Sequence, residues 1–328
     1  MADAVAEATR AASGIRAGDR SAIASALNLC EDRRLVSRDR IGALLDALRL
    51  GVQRLGHRIG LTGPPGVGKS TLAGAVAREL RRRGRTVGVV AVDPSSIRSG
   101  GALLGDRARM AFDPEDGGLF VRSLATEGRA GGLSWAAPAA AAVLGAAFEV
   151  VLVETTGVGQ TETDVRHLAD TVALVIQPGS GDALQFLKAG IMEIPDVLVV
   201  NKSDQPQAQR AVSDLRSALA TSASVGIKDA DTTLVATGAE SGDGVAGFVD
   251  ALDANRASIA PTLESRRHEG EVEWTVQLFE RLHGSHGVAA LGGRPALRAS
   301  ASTALAHAAP PRVCTDLSDH FLGTLSRP

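Results

Sequence analysis

Short, near-continuous apolar runs recur through the middle of this chain, at residues 58–62, 86–92, 150–153, 171–177, 197–200 and 233–236. They are rich in Val, Leu and Ile and lack apolar–polar alternation, the pattern of strands buried on both faces. Between them lie longer stretches with apolar residues at helical spacing: 69–82, 134–147, 182–193, 206–220 and 243–258. This alternation predicts an α/β fold, a doubly wound and mostly parallel sheet, with ligands at the carboxyl ends of its strands.

The flanks read differently. In residues 1–56, Ile23, Leu27 and Cys30 share one helical face, and Ile41, Leu44, Leu45 and Leu48 share another. These stripes predict a two-helix N-terminal extension. Past Pro261, residues 271–282 are amphipathic, with Trp274, Leu278 and Leu282 on one side. Residues 284–312 are Gly/Ala/Pro-rich and weakly patterned, which predicts a C-terminal helix followed by a flexible tail. The expected organisation is an extension at 1–56, an α/β domain at 57–260 and a C-terminal segment at 261–328.

Composition narrows the classes. The chain has 328 residues, 44% hydrophobic and 22% charged, with a net charge of −2. That is a globular composition without a basic field to attract nucleic acid or an anionic membrane. Aromatics make up 3%, with no Tyr, which argues against base-stacking surfaces. Cys30 and Cys314 show no C-x-x-C or zinc spacing and read as reduced, half-buried thiols. Asp3, Glu7 and Arg10 stand where a signal peptide would need an apolar core, and no apolar stretch is long enough to span a bilayer. A cytoplasmic location is expected.

Residues 63–70, Gly63-Pro64-Pro65-Gly66-Val67-Gly68-Lys69-Ser70, form a complete G-x-x-x-x-G-K-[ST] loop, followed by Thr71. It sits between an apolar run and a helical stretch, the context such a loop requires. The glycines permit backbone angles that turn successive N–H groups inward around phosphate oxygens. The following helix aims its positive end at the same anion. Lys69 is expected to reach the β- and γ-phosphates, and Ser70 to ligate Mg²⁺. The chain is expected to bind a nucleoside triphosphate.

Residues 201–204, Asn201-Lys202-Ser203-Asp204, follow the apolar run 197–200. A carboxylate at Asp204 can accept from guanine N1 and its 2-amino group, and adenine would leave it unpaired. Asn201 would contact the base edge or tie neighbouring loops, with the Lys202 stem along the purine. Later, Gly238, Ala239 and Glu240 stand as the loop behind the base, with the Ala239 N–H toward the guanine oxygen. Guanine specificity is the expectation.

Carboxylates at strand ends supply switch chemistry. Asp93 opens a Gly-rich segment that ends in Asp106, and Glu154 follows the run 150–153. Ser70, Asp93, Asp106 and Glu154 are the candidate Mg²⁺ ligands, directly or through water. The Gly157 N–H is placed to sense the γ-phosphate. The next residue is Val158, where Ras-like enzymes carry a water-orienting Gln. Slow intrinsic hydrolysis, completed by a partner, is therefore expected.

Several segments together carry a resemblance: Val-Asp-Pro-Ser-Ser (92–96), Gly-Gly-Ala-Leu-Leu-Gly-Asp-Arg-Ala-Arg-Met (100–110), Glu-Thr-Thr-Gly-Val-Gly-Gln (154–160), Gly-Asp-Ala-Leu-Gln-Phe-Leu-Lys-Ala-Gly (181–190) and Asn-Lys-Ser-Asp. From about Arg16 to Leu278 the chain resembles the MeaB-type (ArgK-like) GTPases, chaperones of adenosylcobalamin-dependent acyl-CoA mutases. The resemblance implies a P-loop GTPase fold of the SIMIBI type, a homodimer, and a GTPase that gates cofactor loading and protects a mutase. It implies switches at 93–110, 154–163 and 178–190, with Gln160, Asp182 and Lys188 facing the partner. The chain departs from the family pattern in Gly238-Ala239 for Ser-Ala, in Thr155-Thr156 for Thr-Val, and in a C-terminal arm interrupted by Gly and Pro after Leu282. It lacks a D-x-H-x-x-G cobalamin motif, so the cobalamin is expected on a separate polypeptide.

Three other readings share parts of this signature. A metal-inserting GTPase should show His-rich or G-C-x-C-C tracts, and the seven His here are scattered. A P-loop kinase or ATPase shares the phosphate loop but not the Asn201–Asp204 turn. A nucleotide-sensing adaptor would bind without turnover.

Overall fold

The computed structural model describes residues 2–32, 34–50, 55–93, 115–125, 133–155, 161–179, 195–224 and 232–325. They fall into two compact units: one of residues 56–137 and 148–261, the other of 1–55, 138–147 and 262–328.

Among the described residues the first unit holds seven strands: β1 (His57–Thr62), β2 (Val87–Asp93), β3 (Leu119–Ala125), β4 (Val150–Glu154), β5 (Thr171–Ile176), β6 (Val197–Asn201) and β7 (Thr233–Thr237). They form one sheet in the order β3-β2-β4-β1-β5-β6-β7, and every described pairing is parallel. Alternate residues of the apolar runs serve opposite faces. Ala173, Val175, Val197 and Val199 pack with Leu72, Val76 and Leu80 of one helix (Lys69–Arg82) and with Phe248, Val249 and Leu252 of another (Val245–Ser258). Leu174, Ile176, Leu198 and Val200 pack on the other side with Leu215 of the helix Ala208–Ser224. Two covered faces explain the unbroken hydrophobicity of these strands.

Two elements of this unit were not expected. β3 reads Leu-Phe-Val-Arg-Ser-Leu-Ala and lies at the sheet edge, only partly buried. An edge strand needs no continuous apolar run, so Arg122 and Ser123 hid it. A short helix, Thr161–Leu168, follows the Gly-rich segment after β4. The helix expected over 182–193 lies outside the described residues. At the amino ends of the strands, buried His57 places Nε2 2.8 Å from Thr171 Oγ1. Because that hydroxyl donates to Asn255 Oδ1 at 2.6 Å, the imidazole donates from Nε2. Burial pushes its pKa down to about 4, with Asp170 opposing and Arg256 and Arg85 assisting.

The helical unit contains α1 (Ala2–Arg16), α2 (Arg20–Glu31) and α3 (Leu35–Arg49), one helix more than the two stripes indicated. At the C-terminus, Leu263–Ala290 is a long helix kinked at Gly284 (φ 61°, ψ −165°), and it is followed by Gly293–Ala304 and Pro310–Leu325. This corrects the expectation of a flexible tail over 284–312. Leu297, Ala301 and Leu305 recur every four residues and are buried in clusters with Val272, Val276, Phe279, Val313, Cys314 and Phe321. Arg298 also pairs with the buried Glu273 at 2.6 Å. Cys30 and Cys314 form no disulfide and are fully buried rather than half-buried, and burial pushes the Cys314 thiol up to about 11. Among the described residues no helix is long and apolar enough to cross a membrane.

Candidate nucleotide site

β1 ends at Thr62 and the helix α4 (Lys69–Arg82) begins seven residues later, with the glycine-rich loop between them. Two glycines in this loop answer to specific geometry. Gly63 has φ 140°, and a Cβ there would lie 2.0 Å from the Val175 carbonyl oxygen. Gly68 has φ 91°, and a Cβ there would meet Asn201 Nδ2 at 2.6 Å. No side chain caps the start of α4, so its positive end faces the loop. Val67 is buried beneath the loop, while Pro65 and Gly66 are exposed at its crest and Pro64, Gly68 and Thr71 are intermediate.

Lys69 is buried and folds back over the loop, donating from Nζ to the Gly63 carbonyl at 2.8 Å and to the Pro64 carbonyl at 2.9 Å. Ser70 donates to Glu154 Oε1 at 2.6 Å. Glu154 is the last residue of β4, buried and in register with Leu61. The residue after it is tied down too: Thr155 donates its N–H to the Leu61 carbonyl at 3.1 Å, and its hydroxyl lies 3.3 Å from that of Thr62. A hydroxyl and a carboxylate beside an anion cradle are the hard oxygen donors that Mg²⁺ takes, so the residues present fit that ion. β2 ends at Asp93, two residues past the Ala91–Glu154 pair of the sheet, which puts its backbone at the same edge. Asp106, Gly157, Gln160, Asp182 and Lys188 lie outside the described residues, as does the Asp93 side chain.

The Asn201–Asp204 turn is fastened to the same loop. Asn201 ends β6, is buried, and donates from Nδ2 to the Val67 carbonyl at 2.8 Å. Its Oδ1 accepts from Thr237 Oγ1 at 3.1 Å and from the Ala239 N–H at 3.2 Å. Of the two roles expected for Asn201, this geometry is that of a tie between loops. It also engages the Ala239 N–H that was expected to meet the guanine oxygen, though at the long end of the hydrogen-bond range. Lys202 donates to the Gly66 carbonyl at 2.9 Å and to Gln177 Oε1 at 2.6 Å. Asp204 and Glu240 are exposed, on the turns after β6 and β7.

Gly238 has a local reason. A Cβ there would lie 2.6 Å from Ser241 Oγ, and that hydroxyl reaches Asp243 Oδ2 at 2.8 Å and the Gly238 carbonyl at 3.2 Å. With Gly238 N–H donating to the Asp243 carbonyl at 2.9 Å, this loop is closed by its own hydrogen bonds. Sequence reasoning missed Gln177, Thr237 and the anchoring role of Thr155. All three sit at carboxyl strand ends, the position that singled out Glu154 and Asn201.

A G-x-x-x-x-G-K-[ST] loop bound directly to an Asn-Lys-Ser-Asp turn, on one edge of a parallel sheet, places the chain among the P-loop GTPases. Residues 23–289 match the family model described as Methylmalonyl Co-A mutase-associated GTPase MeaB. The chain belongs to that family. A relative from Pyrococcus horikoshii that carries a GTPase name is 46% identical over 206 residues, spanning 62% of this chain and 63% of its own length. A relative from Mycobacterium tuberculosis, named Probable GTPase, is 38% identical over 272 residues, 81% of each chain. The mouse protein named Methylmalonic aciduria type A homolog, mitochondrial, is 38% identical over 202 residues, 58% of this chain and 48% of its own. Among solved structures, one titled LAO/AO transport system kinase superposes with a TM-score of 0.64 over 97% of both chains, at 26% identity.

Proposed function

We propose that the chain is a GTP-hydrolysing switch that chaperones an adenosylcobalamin-dependent acyl-CoA mutase, gating cofactor loading and protecting the partner. The observation that carries the nucleotide part is the bonding of Asn201 and Lys202 to consecutive carbonyls of the phosphate loop. Base recognition and phosphate binding then act as one rigid unit. The family match and the name of the mouse relative support the mutase part.

In this reading Asp204 accepts from guanine N1 and the 2-amino group. The N–H groups of residues 66–70, at the loop crest and the start of α4, hold the β-phosphate. Lys69 turns from its two loop carbonyls toward the β- and γ-oxygens. Ser70 and Glu154, with Asp93 and Asp106 from the first switch, would hold Mg²⁺, which when bound neutralises charge developing on the phosphoryl oxygens. The Gly157 N–H reports the γ-phosphate. Gln160, Asp182 and Lys188 face the partner, and the assembly is a homodimer in the cytoplasm. The cobalamin stays on the mutase.

The structure titled as a kinase favours one rival, phosphate transfer to a small molecule. Single-turnover assays with radiolabelled GTP, with and without acyl-CoA mutases, separate the two. Inorganic phosphate, released faster with a mutase, is the expected product; a phosphorylated acceptor would support the kinase.

A further inference from the structure

Gln177 is the first residue past β5, and its Oε1 accepts from Lys202 Nζ at 2.6 Å. The same ammonium donates to the Gly66 carbonyl at 2.9 Å. Lys202 has φ 58°, the one non-glycine residue with positive φ among those described. A residue with a Cβ holds that conformation when its surroundings support it; here the Ser203 N–H donates to the Thr237 carbonyl at 3.0 Å and the Gln205 N–H to the Lys202 carbonyl at 3.1 Å, and the two hydrogen bonds of the ammonium hold the side chain. The bridge also has a consequence for the phosphate loop. A trans peptide carries its C=O and N–H on opposite sides. Turning the Gly66 carbonyl onto Lys202 therefore turns the Val67 N–H the other way, as a ring of phosphate-facing N–H groups requires.

We propose that Gln177 is a positioning residue for guanine-nucleotide binding, holding the Lys202 ammonium against Gly66 so that base-reading turn and phosphate loop keep one register. The proposal rests on the guanine-site reading above.

The test is the dissociation rate of fluorescent GDP from the full chain. Gln177→Met keeps the length of the side chain and removes the acceptor; it should speed release about tenfold, as loss of one hydrogen bond to a charged group implies. Gln177→Glu retains an acceptor and should stay within about threefold of the parent. In a Lys202→Met background, Gln177→Met should add nothing further. A parent-like rate in Gln177→Met, a Glu variant no better than Met, or independent effects of the two substitutions would each overturn the proposal. So would a fall in the unfolding midpoint of the nucleotide-free Gln177→Met protein not shared by Lys202→Met. Asp204→Asn, assayed alongside with xanthosine diphosphate, reads the guanine assignment separately. If that variant gains no xanthine preference, both readings fall; if it does and the cycle shows no coupling, only the role of Gln177 is lost.

Discussion

Asn201 Nδ2 donates to the Val67 carbonyl at 2.8 Å, so the residue that opens the Asn-Lys-Ser-Asp turn also supports the glycine-rich loop proposed to hold the phosphates. Asn201→Ala would leave three buried partners without it: the Val67 carbonyl, the Thr237 hydroxyl and the Ala239 N–H. Each orphaned group costs about 1–3 kcal/mol, less whatever it recovers from water. A stability loss of about 2–4 kcal/mol in urea denaturation is expected. GDP and GTP should weaken together, because the damaged loop serves the phosphates common to both. Calorimetric titration of each nucleotide checks the second point.

Asp204 tests the base itself. It is exposed on the turn after β6, so changing it should leave the fold intact. Asp204→Asn replaces an acceptor with an amide and should move preference from guanosine to xanthosine nucleotides. Competition between the two diphosphates measures this, and unchanged GDP affinity would remove Asp204 from the site.

Lys69 and the Ser70–Glu154 pair divide the phosphate site. Lys69→Ala should abolish hydrolysis and weaken GTP more than GDP, since its ammonium is assigned to the β- and γ-oxygens. Equal losses would point instead to damage of the loop it braces through Gly63 and Pro64. Ser70→Ala and Glu154→Gln should each reduce the Mg²⁺ dependence of GTP affinity, about tenfold or more. Titrating GTP with and without Mg²⁺ provides the readout.

His57 makes stability depend on pH. Its folded pKa, about 4, lies below the ordinary 6.5, so between those values the unfolded chain binds the extra proton. The neutral, buried imidazole therefore contributes fully above pH 6.5, and the contribution is lost as pH falls toward 4. The loss amounts to about 3 kcal/mol over that window. His57→Gln, which can still donate to Thr171, should flatten the difference between urea midpoints at pH 7 and pH 5.

What was legible in the chain followed from strong local requirements. Gly63 and Gly68 stand where a Cβ would strike Val175 or Asn201, and the doubly buried strands left unbroken apolar runs. Gln177 was illegible because its importance lies in a contact with Lys202, 25 residues away, and a lone Gln after a strand carries no pattern. β3 escaped because an edge strand tolerates Arg122 and Ser123. The helices after Gly284 escaped because their buried stripe, Leu297, Ala301 and Leu305, is set among small residues whose composition suggested a tail. Tertiary packing, rather than intrinsic propensity, supports them.

The most direct test of the whole account compares the affinity of an adenosylcobalamin-dependent acyl-CoA mutase for this protein loaded with a non-hydrolysable GTP analogue and with GDP. The mutase should bind one state more tightly and, by linkage, shift the relative affinity of the two nucleotides by the same factor. It should also accelerate hydrolysis tens- to hundreds-fold, about 2–3 kcal/mol of transition-state stabilisation. Equal affinity in both states, with hydrolysis unchanged by the mutase, would contradict the switch and leave a GTPase without this partner.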